Sequence, residues 1–141
     1  MSQPQPQAAP VQLPARVPAP LAPKLSEYLH LLDTLTPEMV TGCYLTGSLA
    51  LDAFDERQSD VDFTALLARR AAPADLAALR EVHATVEHDY PPWRLEGCYL
   101  QWSDLGRLPP QVPPGPHCAG GVFHPSGLHG LNPGARWLLK P

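Results

Sequence analysis

Apolar positions recur along the chain at two periods, and the switches between them mark its elements. Over residues 24–35, Leu25, Tyr28, Leu29, Leu32 and Leu35 share one face at helical spacing. Thr36-Pro37 ends that helix, and Thr36 is placed to cap a further short turn. Residues 40–45 (VTGCYL) predict a first strand, closed by the turn Thr46-Gly47-Ser48. A short helix over 49–54 and a polar loop over 55–59 follow. Residues 61–67 (VDFTALL) predict a second strand. Its alternation sets Asp60, Asp62 and Thr64 on one face and Val61, Phe63 and Ala65 on the other. A second amphipathic helix begins near Pro73, carries Asp75 in its first turn and runs to about residue 88. Its inner face is Leu76, Leu79, Val82, His83 and Val86. Residues 95–102 (LEGCYLQW) predict a third strand, with Leu95, Gly97 and Tyr99 on one face and Glu96, Cys98 and Leu100 on the other. Ser103-Asp104-Leu105 begins a short turn.

Proline interrupts this pattern at both ends. Residues 1–23 hold seven prolines separated by glutamine, alanine and valine. Proline removes backbone donors and this stretch offers no broad apolar face, so a disordered tail of polyproline II character is expected. Residues 106–121 carry five more prolines and end in Gly120-Gly121, which predicts a long loop. Residues 122–124 predict a short strand and 128–131 another extended piece. Asn132-Pro133 has the chemistry of a helix start, so 133–141 is expected to open a helix that stops at the end of the chain. The sum is an α/β (α+β) domain over 24–132: a small mixed sheet flanked by helices, behind a Pro-rich tail, with 133–141 as the start of a truncated helical region.

Composition narrows the function classes. A net charge of -4 argues against a sequence-independent nucleic-acid binder, which needs a basic surface. No apolar run reaches membrane-spanning length, and no secretory leader is visible. Cys43, Cys98 and Cys118 match no metal knuckle and read as reduced thiols of a cytoplasmic protein. His117, Cys118, His124 and His129 gather in the Pro/Gly-rich stretch, at spacings that fit no standard structural zinc site. Trp93, Trp102 and Trp137 are expected to serve packing.

The chemistry concentrates in residues 44–66. Gly47 and Ser48, at a strand end opening a helix, suit the cradling of phosphates through backbone amides and a hydroxyl. Asp60 and Asp62 present hard oxygen ligands for Mg²⁺ on one strand face. A third carboxylate is needed as base or further metal ligand, and Glu96 in the next strand is placed to supply it. Arg57 in the spacer reads as an exposed loop charge.

This arrangement resembles the DNA polymerase β-like nucleotidyltransferase superfamily. Its signature is a strand, Gly-Ser, about ten residues and Asp-apolar-Asp; here Gly47-Ser48 is followed by eleven residues and Asp60-Val61-Asp62. Within it the chain is most similar to bacterial aminoglycoside adenylyltransferases of the streptomycin/spectinomycin type. Arg94-Leu95-Glu96 matches the third carboxylate, and Leu131-Asn132-Pro133 with Trp137 matches the approach to a helical second domain. The resemblance implies transfer of AMP from Mg-ATP to a hydroxyl of a small-molecule acceptor, with an aminoglycoside and antibiotic resistance as the nearest example, and release of pyrophosphate. It departs at Asp52 and Ala53, where relatives often carry glycine, and at 133–141, where the helical domain would begin. Two other readings stay open. One is a minimal nucleotidyltransferase acting on, or pairing with, a protein partner that replaces the helical part, as in toxin–antitoxin modules. The other is an inactive remnant that at most binds nucleotide.

Overall fold

A computed structural model describes residues 17–46, 60–105, 113–127 and 137–140. The expected helix at 49–54, the loop position Arg57 and the extended piece at 128–131 lie outside these residues. The described fold is mixed α/β. Six strands form one sheet: β1 (Val40–Leu45), β2 (Val61–Leu67), β3 (Leu95–Gln101), β4 (His117–Ala119), β5 (Val122–His124) and β6 (Trp137–Lys140), in the order β5-β4-β3-β2-β1-β6. Only β2 and β3 run parallel; the other neighbours are antiparallel. Parallel strands need a crossover, and α2 (Pro73–Asp89) supplies it. α1 (Ala22–Leu35) packs beside α2.

The expected inner faces form the core. Leu25, Tyr28, Leu29 and Leu32 of α1 and Leu79, Val82 and Val86 of α2 are buried in one cluster with Val61, Phe63, Ala65, Leu95 and Tyr99. His83 completes it as a neutral imidazole. Its rings stack with Phe63 and Phe123, and its Nε2 lies 2.5 Å from the Tyr99 hydroxyl, which lies 2.8 Å from that of Tyr28. Burial pulls the His83 pKa down to about 3. Gly97 makes a very close approach to β2. A Cβ there would lie 2.1 Å from the Phe63 carbonyl oxygen, so the β2–β3 contact excludes any larger residue.

Four expectations need correction. The Pro-rich tail does not reach residue 23. Val17 and Leu21 are buried, and a 3₁₀ turn (Ala19–Leu21) leads into α1. Val17, Leu21 and Leu25 continue the helical seam N-terminally, and prolines in a first turn do not break it. Residues 1–16 lie outside the described residues. Thr36 does open a short turn, its carbonyl accepting from the Met39 N–H at 3.2 Å, but its side chain does not cap that turn: the hydroxyl donates back to the Leu32 carbonyl at 2.6 Å and finishes α1. The loop expected over 106–121 contains a strand, β4, joined to β5 by Gly120-Gly121. Both glycines have positive φ (58° and 80°), as a two-residue hairpin turn requires. Finally, Trp137–Lys140 is a strand rather than the start of a helix, pairing antiparallel with β1. A two-turn helix is marginal alone, whereas the β1 edge offers unpaired backbone groups.

Cys43, Cys98 and Cys118 are free and buried. Burial pushes the Cys43 thiol up to about 12 and that of Cys118 higher still, so neither is a reactive thiolate. Trp93 packs against the core, but Trp102 is half exposed, its indole N–H donating to the Thr41 hydroxyl. No helix among the described residues is long and apolar enough to cross a membrane.

Candidate active site

The sheet face opposite the helices carries the acidic residues. In the parallel β2–β3 ladder Asp62 is registered opposite Glu96, between the inward pairs Val61–Leu95 and Phe63–Gly97. Registered partners project to the same side, so the two carboxylates share a face. Both are half-buried. Asp60, one residue before β2, hydrogen-bonds the Glu96 side chain. The three expected carboxylates therefore meet at the N-terminal ends of the two parallel strands.

Local backbone contacts fix this meeting. The Val61 N–H, between the two aspartates, donates to the Arg94 carbonyl at 2.9 Å. The Leu95 N–H donates to Glu87 Oε1 at 2.9 Å. Lys24, almost wholly buried, donates to Glu87 Oε2 and to the carbonyls of Tyr90 and Pro92 at 2.8–3.2 Å. It thereby holds the segment that delivers Glu96. Burial lowers the Lys24 pKa, while Glu87 and the nearby Asp60 act against that shift. Sequence reasoning passed over Lys24. A lysine at the start of an amphipathic helix normally points to water, and no local signal marks it as buried.

Electrostatics set Glu96 apart. Burial, the hydrogen bond that the protonated Glu96 carboxyl donates to Asp60, and the negative charges of Asp60 and Asp62 all raise its pKa above the ordinary carboxylate value. A carboxyl held up by like charges accepts a proton more readily than a free carboxylate, and the same concentration of negative charge attracts a cation. The trio is not a preformed cage. Among the described residues no group of three or more His, Cys, Asp and Glu is disposed to hold a metal ion. The Asp60–Glu96 hydrogen bond would have to open for both to ligate.

The strand-end turn approaches from β1. β1 runs antiparallel to β2 with Leu45 opposite Phe63, and the Thr46 N–H donates to the Asp62 carbonyl at 2.9 Å. β1 thus ends, at Thr46, beside the carboxylates. Gly47 and Ser48 themselves lie outside the described residues.

Beside the acidic row, the same face carries Tyr44, Thr64, Cys98, His117 and His124, in register across five strands. On the same face Leu66, Cys98 and Leu100 form a small second apolar cluster, with Tyr44 packed against it. A concavity of about 210 Å³ opens at the other end of the sheet, lined by Arg70, Gln101, Pro116 and Ser126 among others. It is far from the carboxylates and small for a nucleotide. No protein-family model matches this chain, and no curated protein sequence does.

Proposed function

We propose that this protein is a nucleotidyltransferase that moves AMP from ATP to a hydroxyl of a small-molecule acceptor, with release of pyrophosphate. One observation carries the reading: Asp60, Asp62 and Glu96, separated by up to 36 positions, meet on one sheet face at the end where β1 runs into Gly47-Ser48. Separate surface carboxylates have no reason to gather, since like charges on one patch cost stability.

In this reading Gly47 and Ser48 hold the triphosphate, and Asp60 and Asp62 are the residues that would hold Mg²⁺. The donor set fits, because all ligands are hard oxygens and the like charges that raise Glu96 are those a cation would relieve. Bound Mg²⁺ neutralises phosphate charge and orients the group for in-line displacement. Glu96 takes the proton from the attacking acceptor hydroxyl; its raised pKa makes it a better base than a free carboxylate. The mixed sheet with a β2-α2-β3 crossover and the Gly-Ser/Asp-x-Asp spacing support placing the fold with the nucleotidyltransferases. The chemistry suits a cytoplasmic enzyme, and an acceptor such as an aminoglycoside follows from the resemblance alone.

Pyrophosphate release from Mg-ATP across a panel of aminoglycosides and other polyhydroxylated acceptors tests the proposal. Release with at least one acceptor, lost in Asp60→Asn, is expected. Release that persists in Asp60→Asn would remove the carboxylates from the chemistry. Silence with every acceptor would favour the partner-dependent or remnant readings.

A further inference from the structure

The sheet face that carries the carboxylates continues past Glu96 onto the β4–β5 hairpin. Cys118, registered opposite Gly97, belongs to the core side. One step along the same register Ala119 lies beside Glu96, and Ala119 is in turn paired with Val122. Asp62, Glu96, Ala119 and Val122 therefore form one row across β2, β3, β4 and β5, on the face away from the helices. Burial falls along that row. Asp62 and Glu96 are half-buried, Ala119 is exposed and Val122 is 58% exposed. The next row ends in His124, also exposed.

We infer that the hairpin end of this row seats the acceptor, and that the acceptor is a ring-shaped polyol, a sugar or cyclitol, lying across Ala119 against Val122 with one hydroxyl at Glu96. The inference rests on the nucleotidyl-transfer reading. In that reaction the acceptor oxygen gives its proton to Glu96 and bonds to the α-phosphorus, and the bond from that phosphorus to pyrophosphate breaks. Attacking and leaving groups stand in line, on opposite sides of the phosphorus. β1 ends on the Asp62 side of the row, where that reading puts the triphosphate, so the hairpin side is left for the acceptor. The hairpin suits a ring. Glu96 and Val122 are two strand spacings apart, about 10 Å, which spans one ring with its substituents. Alanine between them leaves the row low at its centre, and a Cβ at Gly120 would meet nothing within 4 Å, so the approach is open. The Val122 methyls offer an apolar contact to the C–H face of a ring, and the His124 imidazole offers a hydrogen-bonding edge to its hydroxyls. An open-chain polyol has no such continuous apolar face to set against Val122.

The test is an NMR titration of the full chain, followed at the Val122 methyls and the His124 imidazole. Methyl glucoside and myo-inositol are the ring probes, and sorbitol is the open-chain control. Both rings are expected to shift these signals at millimolar concentration, and sorbitol to leave them in place. Val122→Ser is expected to weaken the His124 response about fivefold, through loss of the apolar contact. Ala119→Phe fills the row and is expected to abolish the response; both positions are exposed, so neither change reaches the core. Calorimetric binding of a non-hydrolysable ATP analogue with Mg²⁺ to the same samples separates the two claims. Rings bound by a chain that takes no Mg-nucleotide would overturn the nucleotidyl-transfer reading and the acceptor role with it. A chain that binds Mg-nucleotide, while its hairpin ignores both rings, answers sorbitol equally or responds unchanged in Ala119→Phe, would overturn this inference alone. Silence in both assays would overturn both.

Discussion

At the residue scale, Glu96 ties stability to chemistry. Its pKa is raised by burial and by Asp60 and Asp62, so the folded state holds its proton more tightly than the unfolded chain does. The stability gained is complete below the ordinary value of 4.5 and is lost as pH rises through the folded value. Once ionised, the side chain is therefore a small liability. Glu96→Gln keeps a neutral side chain at every pH. It is expected to raise the thermal midpoint at pH 7, by less than about 1 kcal/mol for so open a group, with the gap closing as pH falls towards 4.5. The same variant is expected to lose pyrophosphate release. A lower midpoint at pH 7 would show that Glu96 is held by favourable contacts and not by like-charge crowding. Next to it, Gly97 reads in the sequence only as a member of the Leu95–Tyr99 face. That it is the one residue the Phe63 carbonyl tolerates there is a tertiary fact.

At the element scale, the strongest patterns read through to the structure. The two helical seams, the three long strands and the face alternation that brings Asp62 and Glu96 to one side all follow from periods long enough to identify themselves. Two of the failures share a cause. β4 and β6 span three and four residues, too short for a period, and their neighbours in the sheet decide their state. The Gly-Gly turn flanked by Ala119 and Val122 was the available hairpin signal, and the prolines before it masked the strand. Lys24 was invisible for a related reason, because its partners come from the far end of α2 and the turn after it. Lys24→Met leaves Glu87 and two carbonyls without their buried donor. A loss of about 3 kcal/mol in urea unfolding is expected, as for other broken buried pairs. A loss below about 1 kcal/mol would place Lys24 outside the framework that positions Glu96.

At the scale of the whole molecule, one sheet separates two tasks. The helix-covered face supplies the core, with the Tyr28–Tyr99–His83 chain at its centre. The other face carries the acidic row and, one row along, the line that ends in His117 and His124. The acidic half of the site was legible because its residues sit in strands with clear alternation. The proposed phosphate half, Gly47 and Ser48, lies outside the described residues; the Thr46–Asp62 contact brings only the end of β1 to the carboxylates. The central claim is that the three carboxylates form the cation-dependent part of a nucleotide site. Calorimetric binding of a non-hydrolysable ATP analogue, with and without Mg²⁺, to the wild type and to Asp62→Asn tests it most directly. Binding that requires Mg²⁺ and falls about tenfold or more in Asp62→Asn is expected. Binding that ignores Mg²⁺, or is unchanged in Asp62→Asn, would contradict the claim.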